Sequence, residues 1–352
     1  MKTQKFLTLF AALFFSFAAY AQDEAEDEKL KISGSVDTYY KYDFSGNANI
    51  GTSFANEQNS ISIGMVDLIL EKSVGKAAFK AEVSLGPRSF GSVPAIEFGD
   101  GDGGDPIVNY APNIQNLYMS YNFTEKLKVT GGYMATFVGY ELISPTGNFH
   151  YSTSYLFTNG PFQNAGVKFD YAVNDKFAIM AGVFNPWNVY TAPSEVGPSS
   201  IGGQIMVAPT EGWTVYLNAM TGSANGTVLD LTTSWELTEK LKVGLNGAFY
   251  TDGADDPASY SGAAVYTQFA VSDAVSLGAR YEYFSSTAVL GVLGEEDASV
   301  NAVTVSANLK AGPITLIPEF RGDFASSAPF FNADGDPVNS AVQALVAAVF
   351  AF

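Results

Sequence analysis

Residues 30–44, LKISGSVDTYYKYDF, alternate without a break. Even positions carry Leu30, Ile32, Gly34, Val36, Thr38, Tyr40, Tyr42 and Phe44, and odd positions carry Lys31, Ser33, Ser35, Asp37, Tyr39, Lys41 and Asp43. Successive side chains of a strand point to opposite faces, so this spacing makes one apolar, aromatic face and one polar, charged face. Strands of soluble domains usually run to about 5–6 residues. A two-faced ribbon much longer than that needs an extended oily surrounding on one side and a wet one on the other.

The period recurs in segments near 30–44, 60–71, 75–86, 113–123, 127–137, 162–173, 177–184, 200–208, 213–221, 226–237, 241–251, 259–271, 275–284, 299–310, 314–324 and 340–352. Connectors of about three residues, such as 72–74, 124–126 and 238–240, alternate with mostly longer ones, such as 87–112, 138–161 and 285–298. Short turns on one side and long loops on the other characterise barrels that span an outer membrane. A bilayer core offers no water to unpaired N–H and C=O groups, so only a helix or a closed sheet can cross it. The expected fold is therefore all-β: a transmembrane antiparallel up-and-down β-barrel over 30–352, with about 16 strands, or 14–18 at the limits. Asp67 and Pro318 interrupt the alternation of their segments, which points to a bulge or bend at each.

Aromatic residues cluster where two interfacial girdles would lie. Phe123, Tyr171, Phe177, Trp213, Trp235 and Phe352 stand near short-turn ends; Tyr42, Phe44, Phe137, Phe249, Tyr283 and Phe324 stand near long-loop ends. A soluble β-sandwich or lectin, with the apolar face as its core, would need no such clustering. The last segment places Val342, Ala344, Val346, Ala348, Phe350 and Phe352 on one face. Its alanines also suit a helix, and its place after fifteen alternating segments favours a strand.

The N-terminus reads as an export signal over 1–21. Lys2 and Lys5 precede the apolar run LTLFAALFFSF (7–17), and Ala19-Tyr20-Ala21 fits a cleavage site, so the mature chain is expected to begin at Gln22. Residues 22–29 form an acidic segment expected on the periplasmic side. Charged residues make up only 15% of the chain, yet acids outnumber bases 36 to 18, for a net charge of −18. Such a chain does not neutralise phosphates, which excludes nucleic acid as a partner. One His and no Cys exclude thiol chemistry and metal sites built on several His or Cys ligands, and no cofactor is expected.

A sharper pattern lies at 132–171. GYMATFVGYE (132–141) is followed by NFHYSTSY (148–155), then GPF (160–162) and Gly166-Val167. This order resembles the beta-barrel porin-2 family of OmpL-like bacterial porins, in which a strand ends in a G-Y-E-like element and Y-S-x-S-Y and G-P-F elements follow. The resemblance implies an outer-membrane, porin-like channel. It supplies no catalytic residues and names no solute.

A barrel of this size can hold an aqueous channel. Inward positions carry both signs: Lys31, Asp37, Lys41, Asp43, Lys80, Glu82, Lys128, Lys168, Asp170, Lys242, Arg280, Glu282, Glu319, Arg321 and Asp323. Each is read either as a lumen charge or as part of a structural salt bridge. The long loops hold fifteen acids against one base, Arg88, which predicts an acidic mouth and a mild cation preference. Asp100, Asp102 and Asp105 lie in a Gly-Asp run that is a weak Ca²⁺ candidate; the spacing departs from an EF-hand, and a solvated loop tip is the simpler reading. Loop 138–161 contains Phe149, Tyr151, Tyr155 and Phe157 with a single formal charge, Glu141. So apolar a loop is expected to fold into or over the barrel and narrow it, with Glu141, His150 and Tyr151 as constriction candidates.

The expected function is a water-filled channel for passive diffusion of small hydrophilic solutes. Outer-membrane lipids and the barrel-insertion machinery, which would read the strand ending at Phe352, are the expected partners, and a homo-oligomer is compatible with this reading. The alternatives are a non-conducting structural or adhesive barrel and an outer-membrane hydrolase. His150 is the only His and has no G-x-S-x-G near it, which disfavours the hydrolase.

Overall fold

In a computed structural model, which describes residues 29–92, 113–255, 257–287, 293 and 297–352, the alternating segments are the walls of one closed barrel. Its strands are β1 (Lys31–Asp43), β2 (Ser60–Val74), β3 (Ala77–Leu85), β4 (Ile114–Asn122), β5 (Leu127–Ala135), β6 (Gln163–Asn174), β7 (Phe177–Phe184) and β8 (Ser200–Val207). They continue as β9 (Trp213–Gly222), β10 (Gly226–Glu236), β11 (Leu241–Thr251), β12 (Ser259–Ala270), β13 (Val275–Ser286), β14 (Ala298–Ala311) and β15 (Ile314–Ala325). A two-residue ladder, β16 (Phe330–Phe331) with β17 (Pro337–Val338), decorates the last long loop. The final strand, β18 (Ser340–Ala351), pairs with β15 on one side and with β1 on the other, which closes the ring. Every wall strand is antiparallel to its neighbours in sequence, so no edge is left unpaired. Residues 1–28, and the candidate calcium residues Asp100, Asp102 and Asp105, lie outside the described residues.

The two faces separate as the period requires. In β1, Val36, Tyr40 and Tyr42 are exposed on the outside, whereas Asp37, Lys41 and Asp43 are buried inside. Leu68, Val83, Leu117, Val167, Ile179, Leu217, Leu229, Val303 and Phe320 continue the outer apolar surface. An apolar exterior of this extent suits hydrocarbon rather than water.

Both irregular segments keep their place by local devices. Opposite Asp37, β2 presents two residues, Gly64 and Met65, where one would fit, and the Met65 N–H donates to Asp37 Oδ1 at 2.9 Å. This bulge switches parity, so Ile61 and Ile63 face outward before it and Val66 and Leu68 after it. Asp67 thereby turns inward, where it accepts a hydrogen bond from Ser84 Oγ at 2.7 Å. Pro318 pairs with Val346 of β18, while the ladder to β14 has a gap at residues 317–318 without a shift of register. Proline lacks the N–H that a complete ladder would need.

Short turns are built alike. In T-E-K at 124–126 and again at 238–240, the Thr hydroxyl accepts from the N–H two and three residues on, at 3.2 and 3.0 Å in both cases. Near this end Trp213 stacks on Trp235, its cross-strand partner, with centroids 4.7 Å apart. One aromatic residue departs from the girdle expectation. Phe137 turns inward past the end of β5 and packs on Phe184, beside Val138, Met220 and Val228. Tyr133, opposite the exposed Leu117, is only 2% exposed because Tyr190 of the loop after β7 covers its ring. At the chain end, Phe352 exchanges backbone hydrogen bonds with Gly34 at 3.0 Å in both directions.

Candidate functional site: the pore interior

The long loop between β5 and β6 enters the barrel and lies along one side of it. Its course follows from irregular backbone: each buried N–H and C=O needs a partner, and here the wall supplies charged ones. The Gly139 N–H donates to Asp230 Oδ1 at 3.1 Å, and Asp230 is itself held by the Asn218 and Asn246 amides at 2.6 and 2.5 Å. Tyr140 then stacks on Tyr266 of β12 at 4.4 Å. Its ring occupies the space a Cβ at Gly244 would need, and Phe149 does the same at Gly278. Inward-facing glycines are therefore sockets for the loop's aromatic rings. Asn148 closes the hairpin by accepting from Leu142 N (2.9 Å) and donating to Leu142 O (2.6 Å).

From His150 onward the loop is tied to β1 and β13–β15. His150 Nδ1 lies 2.6 Å from Ser306 Oγ. The Tyr151 hydroxyl donates to Asp37, and the Tyr151 and Ser152 N–H groups donate to Glu319 at 2.8 and 3.2 Å. Helix α2 (Tyr155–Asn159) starts at Ser154, whose hydroxyl accepts from Phe157 N at 3.0 Å. Glu282 caps the same end, accepting from the N–H groups of Tyr155 and Leu156 at 2.9 and 2.8 Å. A carboxylate there meets the unpaired first donors of a helical turn.

Two guanidiniums answer the carbonyls. Arg280 contacts Glu141 Oε1 at 2.5 Å and Ser152 O at 2.9 Å. Arg321 forms a two-point pair with Asp323, at 2.8 Å for both contacts, and reaches Thr153 O at 2.7 Å. Arg280 and Arg321 are 1% and 0% exposed, so only paired charges are tolerable there. A third arginine arrives from helix α1 (Pro87–Gly91): Arg88 donates to Ile143 O and Tyr151 O at 3.1 and 3.2 Å and lies over the rings of Phe54 and Tyr151. The alternation pattern placed the wall charges; it did not reveal Arg88 as the loop's clamp, although it is the single base in the long loops. Nor did it reveal Asp230, whose signal was its inward position between Leu229 and Leu231.

Above this network the interior is apolar. Tyr155 and Leu156 pack with inward-facing Tyr260, Ala264, Phe284, Val300 and Ala302. Inward positions of β12–β14 thus form a core with the loop instead of the hydrated face expected from a plain channel.

The opposite side of the barrel is different. Lys31, Lys80, Lys128 and Lys168 line a cavity of ≈ 540 Å³ together with Asn116, Tyr118, Ser120 and Thr130. Here the ion pairs are partly solvated: Lys31–Glu71 at 3.4 Å, Lys80–Glu82 at 2.9 Å and Lys168–Asp170 at 2.9 Å. Of the expected lumen charges, then, Asp37, Arg280, Glu282, Glu319 and Arg321 join the loop network, as does the constriction candidate Glu141; Lys31, Lys80, Glu82, Lys128, Lys168 and Asp170 remain on the other side. Lys41 is fully buried in β1, two residues from Asp43.

Solved structures with this architecture include an anion-selective porin from Comamonas acidovorans (13% identity, 92% of this chain and 99% of that one, TM-score 0.60). Others are Salmonella typhi OmpF in complex with daunomycin (10%, 92% and 98%, 0.60) and in-vitro folded OmpT, an outer membrane protein of Vibrio cholerae, in its trimer form (14%, 92% and 99%, 0.57). At these identities the likeness shows the fold. Comparison with curated proteins finds no match. The family described as "Putative beta-barrel porin-2, OmpL-like" matches residues 29–352, so the chain is a member of that family of outer-membrane, porin-like β-barrels.

Proposed function

We propose that the protein is a porin whose water-filled path runs along the β1–β6 side, narrowed from the other side by the loop between β5 and β6. The observation that carries this reading is the one-sided docking of that loop. It is bonded to β1, β10 and β13–β15, and a cavity of ≈ 540 Å³ with polar lining stays beside β1–β6. Small hydrophilic solutes would diffuse through it passively. Purified protein in planar bilayers is expected to give discrete conductance steps, and proteoliposomes are expected to swell faster with small sugars than with large ones. Sealed membranes in both assays would contradict the proposal.

The mouth would favour cations mildly. Glu57, Glu195, Asp252, Asp255, Asp297, Asp334 and Asp336 are exposed at the long-loop end. A clear anion preference in reversal potentials under a salt gradient would refute that part. Export through the signal at 1–21, a periplasmic acidic segment at 22–29, insertion through the strand ending at Phe352 and assembly into a homo-oligomer belong to the same reading. Catalysis does not: His150, the single His, faces Ser306 within the loop network, away from the cavity.

One observation favours a second reading. Full burial of Arg280 and Arg321 beneath the loop would also suit a plugged, non-conducting barrel. The conductance assay separates the two.

A further inference from the structure

We infer that the cavity beside β1–β6 is a binding site for small multivalent oxyanions, of the phosphate or carboxylate class. The inference rests on the porin reading for its access route and deepens it by naming a solute class.

The register assembles the site. Lys31, Glu71, Lys80 and Tyr118 face one another in a single row across β1–β4. In the next row toward the short turns, Ser120 faces Thr130 and Thr130 faces Lys168; in the one after, Asn122 faces Lys128 and Lys128 faces Asp170. Directly opposed residues of an antiparallel pair bring their Cβ atoms to about 5 Å, so these side chains converge on one patch.

The charge in that patch is unbalanced. Five inward lysines line the cavity against one acid, Glu71, while Lys72 at its rim is the cross-strand partner of outward Phe79. Even when the two further acids that bridge to Lys80 and Lys168 are included, two cations lack an acidic counterpart within the site. This is conspicuous in a chain of net charge −18. Each lysine has three donors and no acceptor, and the Tyr118, Ser120 and Thr130 hydroxyls add donors beside them. Such a lining satisfies the oxygens of a multivalent oxyanion and offers a monovalent cation little. The low-dielectric wall strengthens the attraction relative to free solution, and the partial hydration of the lysines leaves room for exchange.

The position along the axis matters too. Lys31, Lys80 and Lys128 lie within four residues of the short-turn ends of β1, β3 and β5, whereas the exposed acids named above lie at the long-loop end. The two charge layers are in series, so a mouth that gathers cations and a vestibule that holds anions are compatible.

The test is direct binding of inorganic phosphate to the folded full-length barrel in detergent micelles, read as broadening of the ³¹P resonance at low ionic strength. Wild type is expected to broaden the line saturably and to lose the effect as salt is added. K80Q/K128Q/K168Q is expected to weaken binding about tenfold, the summed effect of three partly solvated contacts. K76Q/K176Q, in short turns outside the cavity, should bind like wild type. If the triple variant does not fold, by loss of its heat-modifiable migration in gels, K31Q and K128Q singly should each weaken binding by a smaller factor. Absence of saturable broadening in wild type, or equal broadening in the lysine variants, overturns the inference. A channel that conducts without binding phosphate removes this inference alone; a barrel that binds phosphate without conducting removes the porin proposal instead.

Discussion

The inner wall is made of two halves with opposite habits. Along β13–β15 the charges are fully buried, mixed in sign and committed: Arg280 to Glu141 and Ser152, Glu282 to the start of α2, Glu319 to Tyr151 and Ser152, Arg321 to Asp323 and Thr153. In the cavity beside β1–β6, Lys31, Lys80, Lys128 and Lys168 are partly exposed, and three of them are tied to Glu71, Glu82 and Asp170 by short-range pairs on the wall itself. The same strand grammar, polar residues at every second position, thus serves two ends. One half uses charge to satisfy irregular backbone that water cannot reach; the other leaves charge where water can reach it. An inward charge in a barrel is therefore not by itself a pore charge; its partner decides.

Removing the loop is the most drastic way to erase the difference. Deletion of 144–157 strips the buried half of its partners and opens the lumen, and single-channel conductance is expected to rise several-fold. Unchanged conductance would mean the loop does not narrow the path. A subtler break is Glu141→Gln, which leaves the Arg280 guanidinium without its closest countercharge. Removing one member of a buried ion pair typically costs about 3–5 kcal/mol. The variant should melt at lower temperature by circular dichroism, while Lys168→Gln, which breaks a partly solvated pair, should change stability by about 1 kcal/mol or less. Equal effects would erase the distinction between the halves.

Acid should act on the buried half first. Burial, and then the positive charges of Arg280 and Arg321, hold His150 well below its ordinary range. The docked loop therefore binds fewer protons than the undocked one, and docking is fully stable above the free-histidine value and weakens as pH falls through about 6.5. Thermal melting between about pH 7 and pH 5 is expected to decline in wild type and to flatten in His150→Asn. The same slope in both would assign the effect to the surrounding carboxylates.

Much of this was legible in the residues. Period-two alternation located all sixteen wall strands, and most ends agree within two residues; β2 runs to Val74 rather than 71 because its bulge restores the pattern after Asp67. Pro318, which looked like an interruption, keeps its outward parity and costs only part of one ladder. The interior was less legible, because alternation reports which face a residue occupies but not what meets it there. Tyr260, Ala264 and Phe284 sit on the inward face yet are apolar, since their partners are the loop's own Tyr155 and Leu156 rather than water. Arg88, Gly244 and Gly278 could not be read as loop anchors, because their partners are remote in sequence. Lys31, Lys80, Lys128 and Lys168 were recognisable as inward one by one; their convergence needed the register.

In the proposed porin, the conducting path follows the lysine side and avoids the arginine side. The chain has no cysteine, so single thiols can be placed on either wall without background. Ser120→Cys lies in the cavity lining, and Thr304→Cys lies beneath the loop, where Thr304 is 0% exposed and 3.1 Å from Arg280. With a charged, membrane-impermeant thiol reagent, the single-channel current of Ser120→Cys is expected to drop in discrete steps and that of Thr304→Cys to stay constant. Modification of Thr304→Cys with no effect at Ser120→Cys would place the path on the arginine side instead.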